Sequence, residues 1–436
     1  MKFVCLIKLF AYAMLGLWSL QGLPAYAQIS AKQVYEQPDN HELNLEYAKQ
    51  QILKGEMLDA GSALERMLYA NPNWHSARLL YAAVLYRLDD QQAALRELSL
   101  LEDKQLNTEQ LAKLENYKTA FLIPPQPITP DVSARVSADL DQGASFRSRD
   151  KVQGQLSLHF RGDDNAGNAL TDESFGFRDE GDVSAVISGR VRTFQPVSEN
   201  VTIRSEFGGQ IRRHQTFSDV DYDVFDASTG LTIDKSRSVA AIDIDARKIN
   251  ISGETYLKQI GPRLTLSRKI SPKTYTNFSL SAYKQDYDVI ENASLEDERD
   301  GYKLTFQAGI LHKIDQRNKI RLAVAFEDKS ATERAFAYQG PSLALAYDHK
   351  ADKNFYLKAR GKIRKLDYSG SLTESFDREE TRFNGRLAVG KYLDINHGSL
   401  KSASIEAGAN LTRRNSNIQA NAFENFGVDV RLSAGF

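Results

Sequence analysis

The sequence predicts an α+β chain of two domains: an N-terminal tetratricopeptide-like α-solenoid, then a C-terminal transmembrane antiparallel β-barrel of about 14 strands. Three observations predict it. Positions 41–104 repeat at an offset of 34 residues, segments beyond residue 150 alternate apolar and polar side chains, and the connections between those segments are alternately short and long.

The chain begins with the marks of secretion. Lys2 and Lys8 precede an apolar run from Leu9 to Leu20, followed by Pro24 and the small-x-small ending Ala25-Tyr26-Ala27 before Gln28. The run is shorter than the roughly 20 residues a spanning helix needs. Residues 1–27 therefore read as a signal peptide cleaved after Ala27. Cys5 is the sole cysteine and lies inside that segment, so the mature chain has no thiol chemistry or disulfide framework.

Residues 28–120 read as the helical-repeat domain. Leu45 corresponds to Leu79, Tyr47-Ala48 to Tyr81-Ala82, Ala60 to Ala94, and Leu64 to Leu98. This is the period of tetratricopeptide repeats, whose helix pairs stack into a solenoid. Ala48, Ala60, Ala82 and Ala94 are the small residues expected where paired helices approach closely. Gly55 fits the turn inside the first pair, and Asn71-Pro72 closes it. A further helix is expected from Asn107 to Ala120, with Asn107 and Gln110 at capping-box spacing. Pro124, Pro125, Pro127 and Pro130 then mark an extended linker within 121–149. Asp131–Arg149 admits three readings: a plug in the lumen, a linker or an extra hairpin.

Residues 150–436 read as the barrel. Val183, Ala185, Ile187, Gly189 and Val191 share one strand face, as do Tyr302, Leu304, Phe306, Ala308 and Ile310. The intervening residues are polar or charged, which predicts a wet lumen. Short connections are expected at Gln195–Asn200, Ile270–Thr274, Lys313–Asn318, His349–Asn354 and Asp394–Ser399. Long ones are expected at Gly162–Gly181, Gln215–Lys235, Asp286–Arg299, Asp328–Gln339, Asp367–Glu380 and Arg413–Ala420. Transmembrane barrels show this alternation of periplasmic turns and external loops. For the parity to hold, Ser236–Ile270 must contain an odd number of strands, and three short ones fit its length. The tyrosines and phenylalanines suit girdles at the two membrane interfaces.

The last segment alternates without error: Phe426, Val428, Val430, Leu432, Ala434 and Phe436 on one face, Gly427, Asp429, Arg431, Ser433 and Gly435 on the other. It resembles the assembly signal of outer-membrane barrels, which implies the barrel-assembly machinery and outer-membrane lipid as partners. The bacterial outer membrane is the expected location, with the helical domain in the periplasm.

Composition bounds the chemistry. With 56 Lys+Arg against 57 Asp+Glu, the formal net charge is −1, and the scattered basic residues offer no segregated patch for nucleic acid. Asp219, Asp221 and Asp223 have calcium-loop spacing, but Val224 and Gly230 stand where such a loop needs glycine and glutamate. The seven histidines are dispersed. No cofactor, metal site or catalytic constellation is expected, and the chain reads as a non-enzyme.

The layout resembles the surface lipoprotein assembly modifiers, which join a periplasmic tetratricopeptide domain to a barrel of similar strand count. Asp163-Asp164-Asn165 with Asn168, and Arg414-Asn415-Ser416-Asn417, resemble patterns at that family's barrel ends. The resemblance implies delivery of a protein cargo, a surface lipoprotein or a soluble haem- or metal-scavenging protein, across the outer membrane. A polysaccharide or small-solute export porin is the alternative, weakly disfavoured by the mixing of Arg with Asp and Glu on most strands. An outer-membrane hydrolase is a more distant one.

Overall fold

A computed structural model describes residues 29–122, except 38, 39, 55 and 89, and residues 151–436, except 167–180, 289–298, 371–376, 395–399 and 419–421. The signal segment with Ala27, the proline-rich linker, Gly55 and Asn168 lie outside the described residues.

Among the described residues, six helices precede the sheet: α1 (Ala31–Glu36), α2 (His41–Lys54), α3 (Met57–Ala70), α4 (His75–Arg87), α5 (Gln91–Ser99) and α6 (Thr108–Leu122). Their starts are written locally. The Asp90 carboxylate accepts from the Ala93 N–H at 2.9 Å to open α5. Asn107 and Gln110 form a reciprocal box before α6, at 2.8 and 3.1 Å. Ala48, Ala60, Ala82 and Ala94 are fully buried, in one core with Leu64, Leu79, Leu80 and Leu98. A methyl side chain at each position lets neighbouring helix backbones approach. Helix α6 closes this core with aromatic rings. Phe121 stacks on Tyr86 at 4.2 Å between centroids and on Tyr117 at 5.6 Å, contacts worth about 0.5–1.5 kcal/mol each beyond burial.

The rest is one closed antiparallel barrel of 14 strands. Its first half is β1 (Val152–Asp163), β2 (Asp182–Pro196), β3 (Val201–His214), β4 (Tyr222–Lys235), β5 (Ser238–Ile251), β6 (Glu254–Lys269) and β7 (Thr274–Tyr287). The second half is β8 (Gly301–Lys313), β9 (Asn318–Lys329), β10 (Tyr338–Lys350), β11 (Phe355–Tyr368), β12 (Glu379–Leu393), β13 (Ser402–Ser416) and β14 (Phe423–Gly435). Each strand pairs with its sequence neighbours, and β14 returns to β1.

The strand total agrees with expectation, but its distribution does not. Most of the long connection expected at Gln215–Lys235 is strand β4, and Ser236–Ile270 holds two long strands rather than three short ones. These two errors cancel in the count. Two hairpin turns explain the region. Ser236 has a positive φ of 54° between β4 and β5, as the first residue of a II′ turn requires. Between β5 and β6, Ser252 and Gly253 both have positive φ, 50° and 89°, the I′ signature. The second turn makes β5–β6 the exception to the rule of long loops at that end of the barrel.

Candidate functional site: the lumen and its short-turn mouth

Ladder register decides which side chains face inward, because paired residues point to the same side of a sheet and alternate along each strand. Ser157 pairs with Ser433 and Ser188, Asp348 with Lys319 and Lys358, and Arg386 with Arg360 and Asn410. Carried round the barrel, this places one polar set inside and one apolar set outside. Outward side chains remain exposed, as with Val389 (56%), Phe306 (50%) and Leu432 (46%). A closed cylinder apolar on every side is tolerated in lipid and not in water. The chain therefore contains a membrane-spanning barrel of the outer-membrane type.

Phe426, Val428, Val430, Leu432 and Phe436 all lie on the outward face of the last segment. The Phe436 ring lies over Gly154, where any added Cβ would fall 1.9 Å from the ring. Gly154 and Phe436 also exchange backbone hydrogen bonds at 2.9 and 3.0 Å. At the opposite end of the same seam, Asp164 accepts from the Phe426 N–H at 2.7 Å, and the Asn165 amide donates to the Glu424 carbonyl at 3.3 Å. The Asn417 side chain accepts from the Glu379 N–H at 2.8 Å and donates to the Asp377 carbonyl at 2.9 Å. Both motif segments singled out in the sequence thus stitch the long-loop rim around β1, β14, β13 and β12.

The aromatic girdles are only half as expected. Outward aromatic positions are mainly phenylalanine, as with Phe160, Phe207, Phe278 and Phe326, whereas most strand tyrosines face the lumen. The hydroxyl explains the sorting. Tyr283 donates to Asp245 at 2.8 Å, Tyr368 accepts from Arg382 at 2.9 Å, and Tyr287 accepts from Lys329 at 3.2 Å. A phenol fits among charged groups, while a phenyl ring satisfies lipid.

The lumen charges divide into two walls. On β1–β7, eight inward Lys or Arg face seven inward Asp or Glu. Asp243 there bonds Arg204 at 2.8 Å and lies 3.5 Å from Arg263, which also bonds Asp245 at 2.9 Å. Asp163 holds both Arg161 and Arg212, at 2.5 and 2.6 Å. On β8–β14, fourteen inward Lys or Arg face five carboxylates. Strand β11 alone carries Lys358, Arg360, Lys362 and Arg364 at successive inward positions.

The carboxylates of this second wall are shared among cations. Glu327 lies 2.9 Å from Lys303 and 3.6 Å from Arg364. Glu406 bonds Lys358 at 2.9 Å and Arg386 at 2.6 Å. Glu380, only 2% exposed, is ringed by Arg382, Arg378 and Arg414 at 2.6, 3.4 and 3.8 Å. The carboxylates of this wall are thus taken up in ion pairs, and the wall is left strongly positive. The mixing of Arg with Asp and Glu on most strands, which the sequence sets against an export porin, therefore coexists with a charge-segregated lumen.

At the short-turn end, the positive wall opens into a chamber of about 880 Å³. Lys273, Lys313, Arg317, Lys319, Lys350, Lys358 and Arg360 line it, with Asp315 and Asp348 as its carboxylates. Asp315 is tied into its own turn by the Asn318 amide at 2.7 Å and the Arg317 and Asn318 N–H groups at 2.7 and 2.8 Å. Those donors hold its carboxyl below the usual aspartate range. Asp348 is shared by Arg360, Arg321 and Lys319. Tyr275, Tyr356 and Tyr392 complete the chamber, with the Lys358 ammonium 4.4 Å from the Tyr356 ring centre.

Two members of the acidic triplet are committed elsewhere. Asp221 bonds His214 at 2.9 Å, and Asp223 bonds Arg213 at 2.7 Å. Among the described residues, no group of three or more His, Cys, Asp or Glu side chains could hold a metal ion.

No family model matches this sequence, and no curated protein matches it. Solved structures resemble the barrel. A Pseudomonas aeruginosa FadL homologue is 10% identical with a TM-score of 0.40, the match covering 72% of this chain and 95% of that one. The CymD monoaromatic hydrocarbon channel is 9% identical with a TM-score of 0.37, over 68% and 91%. The KdgM porin is 10% identical with a TM-score of 0.27, over 63% and 97%. At these values the likeness concerns the barrel fold alone.

Proposed function

We propose that this chain is an outer-membrane translocation channel, in which the helical repeats engage a protein cargo in the periplasm and the barrel gives it passage. The cargo class follows from the resemblance to the surface lipoprotein assembly modifiers: a surface lipoprotein or a secreted scavenger protein. The observation that carries the reading is the pairing, in one chain, of a separate helical core with a closed, polar-lined, lipid-facing cylinder. The helical unit also leaves large apolar side chains unburied. On α3, Leu58 (73% exposed) and Tyr69 (92% exposed) lie eleven residues apart, three turns along one side. Exposed apolar anchors of this kind, set among the polar Ser62, Glu65 and Arg66, suit contact with a segment of cargo.

Surface display of a candidate cargo, compared in cells with and without the chain, tests this function. Display should depend on the chain, and deletion of residues 28–120 should abolish it while an inserted barrel remains. Unchanged display of every candidate removes the reading; display surviving the deletion removes the role given to the repeats.

One observation favours a second reading, a channel for solutes or polymers: the segregated positive wall of the lumen, which a neutral or cationic permeant would not need. Accumulation of an anionic polymer in the periplasm of a deletion strain, with cargo display intact, would decide for it.

A further inference from the structure

We infer that the short-turn chamber is a binding site for multivalent oxyanions, compounds carrying several carboxylate or phosphate groups, and that it makes the barrel anion-selective. The inference requires a membrane-embedded barrel and holds for either cargo class.

Pairing leaves an excess of positive charge in the chamber. The chamber brings together seven cations and two carboxylates, in a chain whose formal net charge is −1. Both carboxylates are already occupied, Asp315 by its turn and Asp348 by three cations. Among the described residues, no salt bridge joins Lys313, Arg317 or Lys350 to a carboxylate. These three come from different places, the last residue of β8, the turn after it and the last residue of β10. The turns hold them around one volume. Like charges gathered in this way repel, and a mobile ligand of high negative charge relieves the repulsion.

Geometry favours a multivalent ligand over chloride. About 880 Å³ is within the range of small-molecule pockets. Arginine presents a planar fork suited to carboxylate or phosphate, and lysine adds point charges. Behind the chamber, β11 continues the positive wall through Lys362 and Arg364. An anion leaving the chamber meets further cations toward the opposite rim.

The test uses the full chain in detergent and in planar bilayers, with citrate and inorganic pyrophosphate as probes and maltotriose as the neutral control. Citrate and pyrophosphate should release or absorb heat in titration calorimetry, and maltotriose should not. The triple variant Lys313→Gln/Arg317→Gln/Lys350→Gln should bind them roughly tenfold more weakly, a loss expected to shrink at high salt. Lys313→Arg/Lys350→Arg should retain binding and shows that the barrel still folds. In bilayers under a KCl gradient, the reversal potential should have the sign of anion preference and move toward zero in the triple variant. Absence of citrate heat in the wild type, equal affinity in the triple variant, or a reversal potential of cation sign overturns the proposal. Loss of cargo display leaves it standing, because that result bears on translocation alone.

Discussion

The two walls of the lumen draw on the same residue types and solve different problems. On β1–β7 the charges nearly balance, and the neighbouring carboxylates Asp243 and Asp245 share Arg263. On β8–β14 the ratio inverts, and a single carboxylate such as Glu380 holds three guanidiniums. A balanced wall behaves as a neutral surface with internal cross-links. An unbalanced one uses its few carboxylates to keep cations crowded in place and leaves a field in the lumen. Balance at one wall and excess at the other show that net charge per chain says little about the charge a permeant meets.

The sharpest way to break this comparison is to remove a carboxylate from each wall. Glu380→Gln takes the carboxylate from the buried Arg378 and the half-buried Arg382 and Arg414, and loss of one partner from a buried ion cluster costs about 3–5 kcal/mol. Asp243→Asn takes the carboxylate from Arg204 but leaves Arg263 with Asp245 and relieves the like-charge contact of the two aspartates, so a smaller loss of about 1–2 kcal/mol is expected. Urea unfolding in detergent micelles reads both. Equal losses would show that the walls do not differ in how they hold charge.

Charge reversal sharpens the comparison electrically. Lys362→Glu lies within the positive wall and Lys269→Glu lies at the edge of the balanced one. The first should shift the bilayer reversal potential toward cations by more than the second.

The seam, where β1 of one wall meets β14 of the other, gives a smaller effect. Phe436→Ala uncovers Gly154 and removes an aromatic contact, with an expected loss of about 1–2 kcal/mol and less barrel in the outer-membrane fraction. Gly154→Val should displace the ring and reproduce that defect.

The smallest effects belong to turns. Ser236, at φ 54° in the balanced wall, is replaced to advantage by glycine, with about 0.5 kcal/mol of stabilisation expected. In the positive wall, Asp352 accepts from the Phe355 and Asn354 N–H groups, each at 2.7 Å. These donors hold its carboxyl below the ordinary aspartate value. Its turn therefore contributes stability that is present above the unfolded pKa and lost as the pH falls through the lower folded value. Asp352→Asn should flatten that part of the acid-unfolding curve.

Much of the barrel is readable from the sequence where one face is plainly apolar. Leu304, Phe306, Ala308 and Ile310 announce β8 because lipid requires a greasy side. Strand β4 escapes the same reading. Its outward Phe225, Leu231 and Ile233 are separated by Ala227 and Thr229, and its inward face carries Asp226, Ser228, Gly230 and Thr232, so the apolar alternation breaks in mid-strand. Strand β6 looks broken because it contains Gly261-Pro262. The ladder to β7 skips those two residues, and a Cβ on Gly261 would fall 1.9 Å from the Ala282 carbonyl. The strand runs on because glycine permits that approach. The charge of the lumen is hidden for a different reason. It exists between strands that meet only after closure, and a strand taken alone shows Arg and Glu side by side. The tyrosines are misplaced because hydropathy does not distinguish a ring that needs lipid from one that needs a hydrogen-bond partner.

The two-residue turns at Ser236-Arg237 and Ser252-Gly253 carry a kinetic consequence. They join β4, β5 and β6 into consecutive hairpins whose ends are already adjacent, so bringing those strands together costs little chain entropy. The seam joins Gln155 to Gly435, and its ends are far apart until everything between them is in place. Assembly is therefore predicted to start from the β4–β6 hairpins in the first half of the barrel sequence and to finish at the edge pair, with the cylinder an open ribbon until its last step.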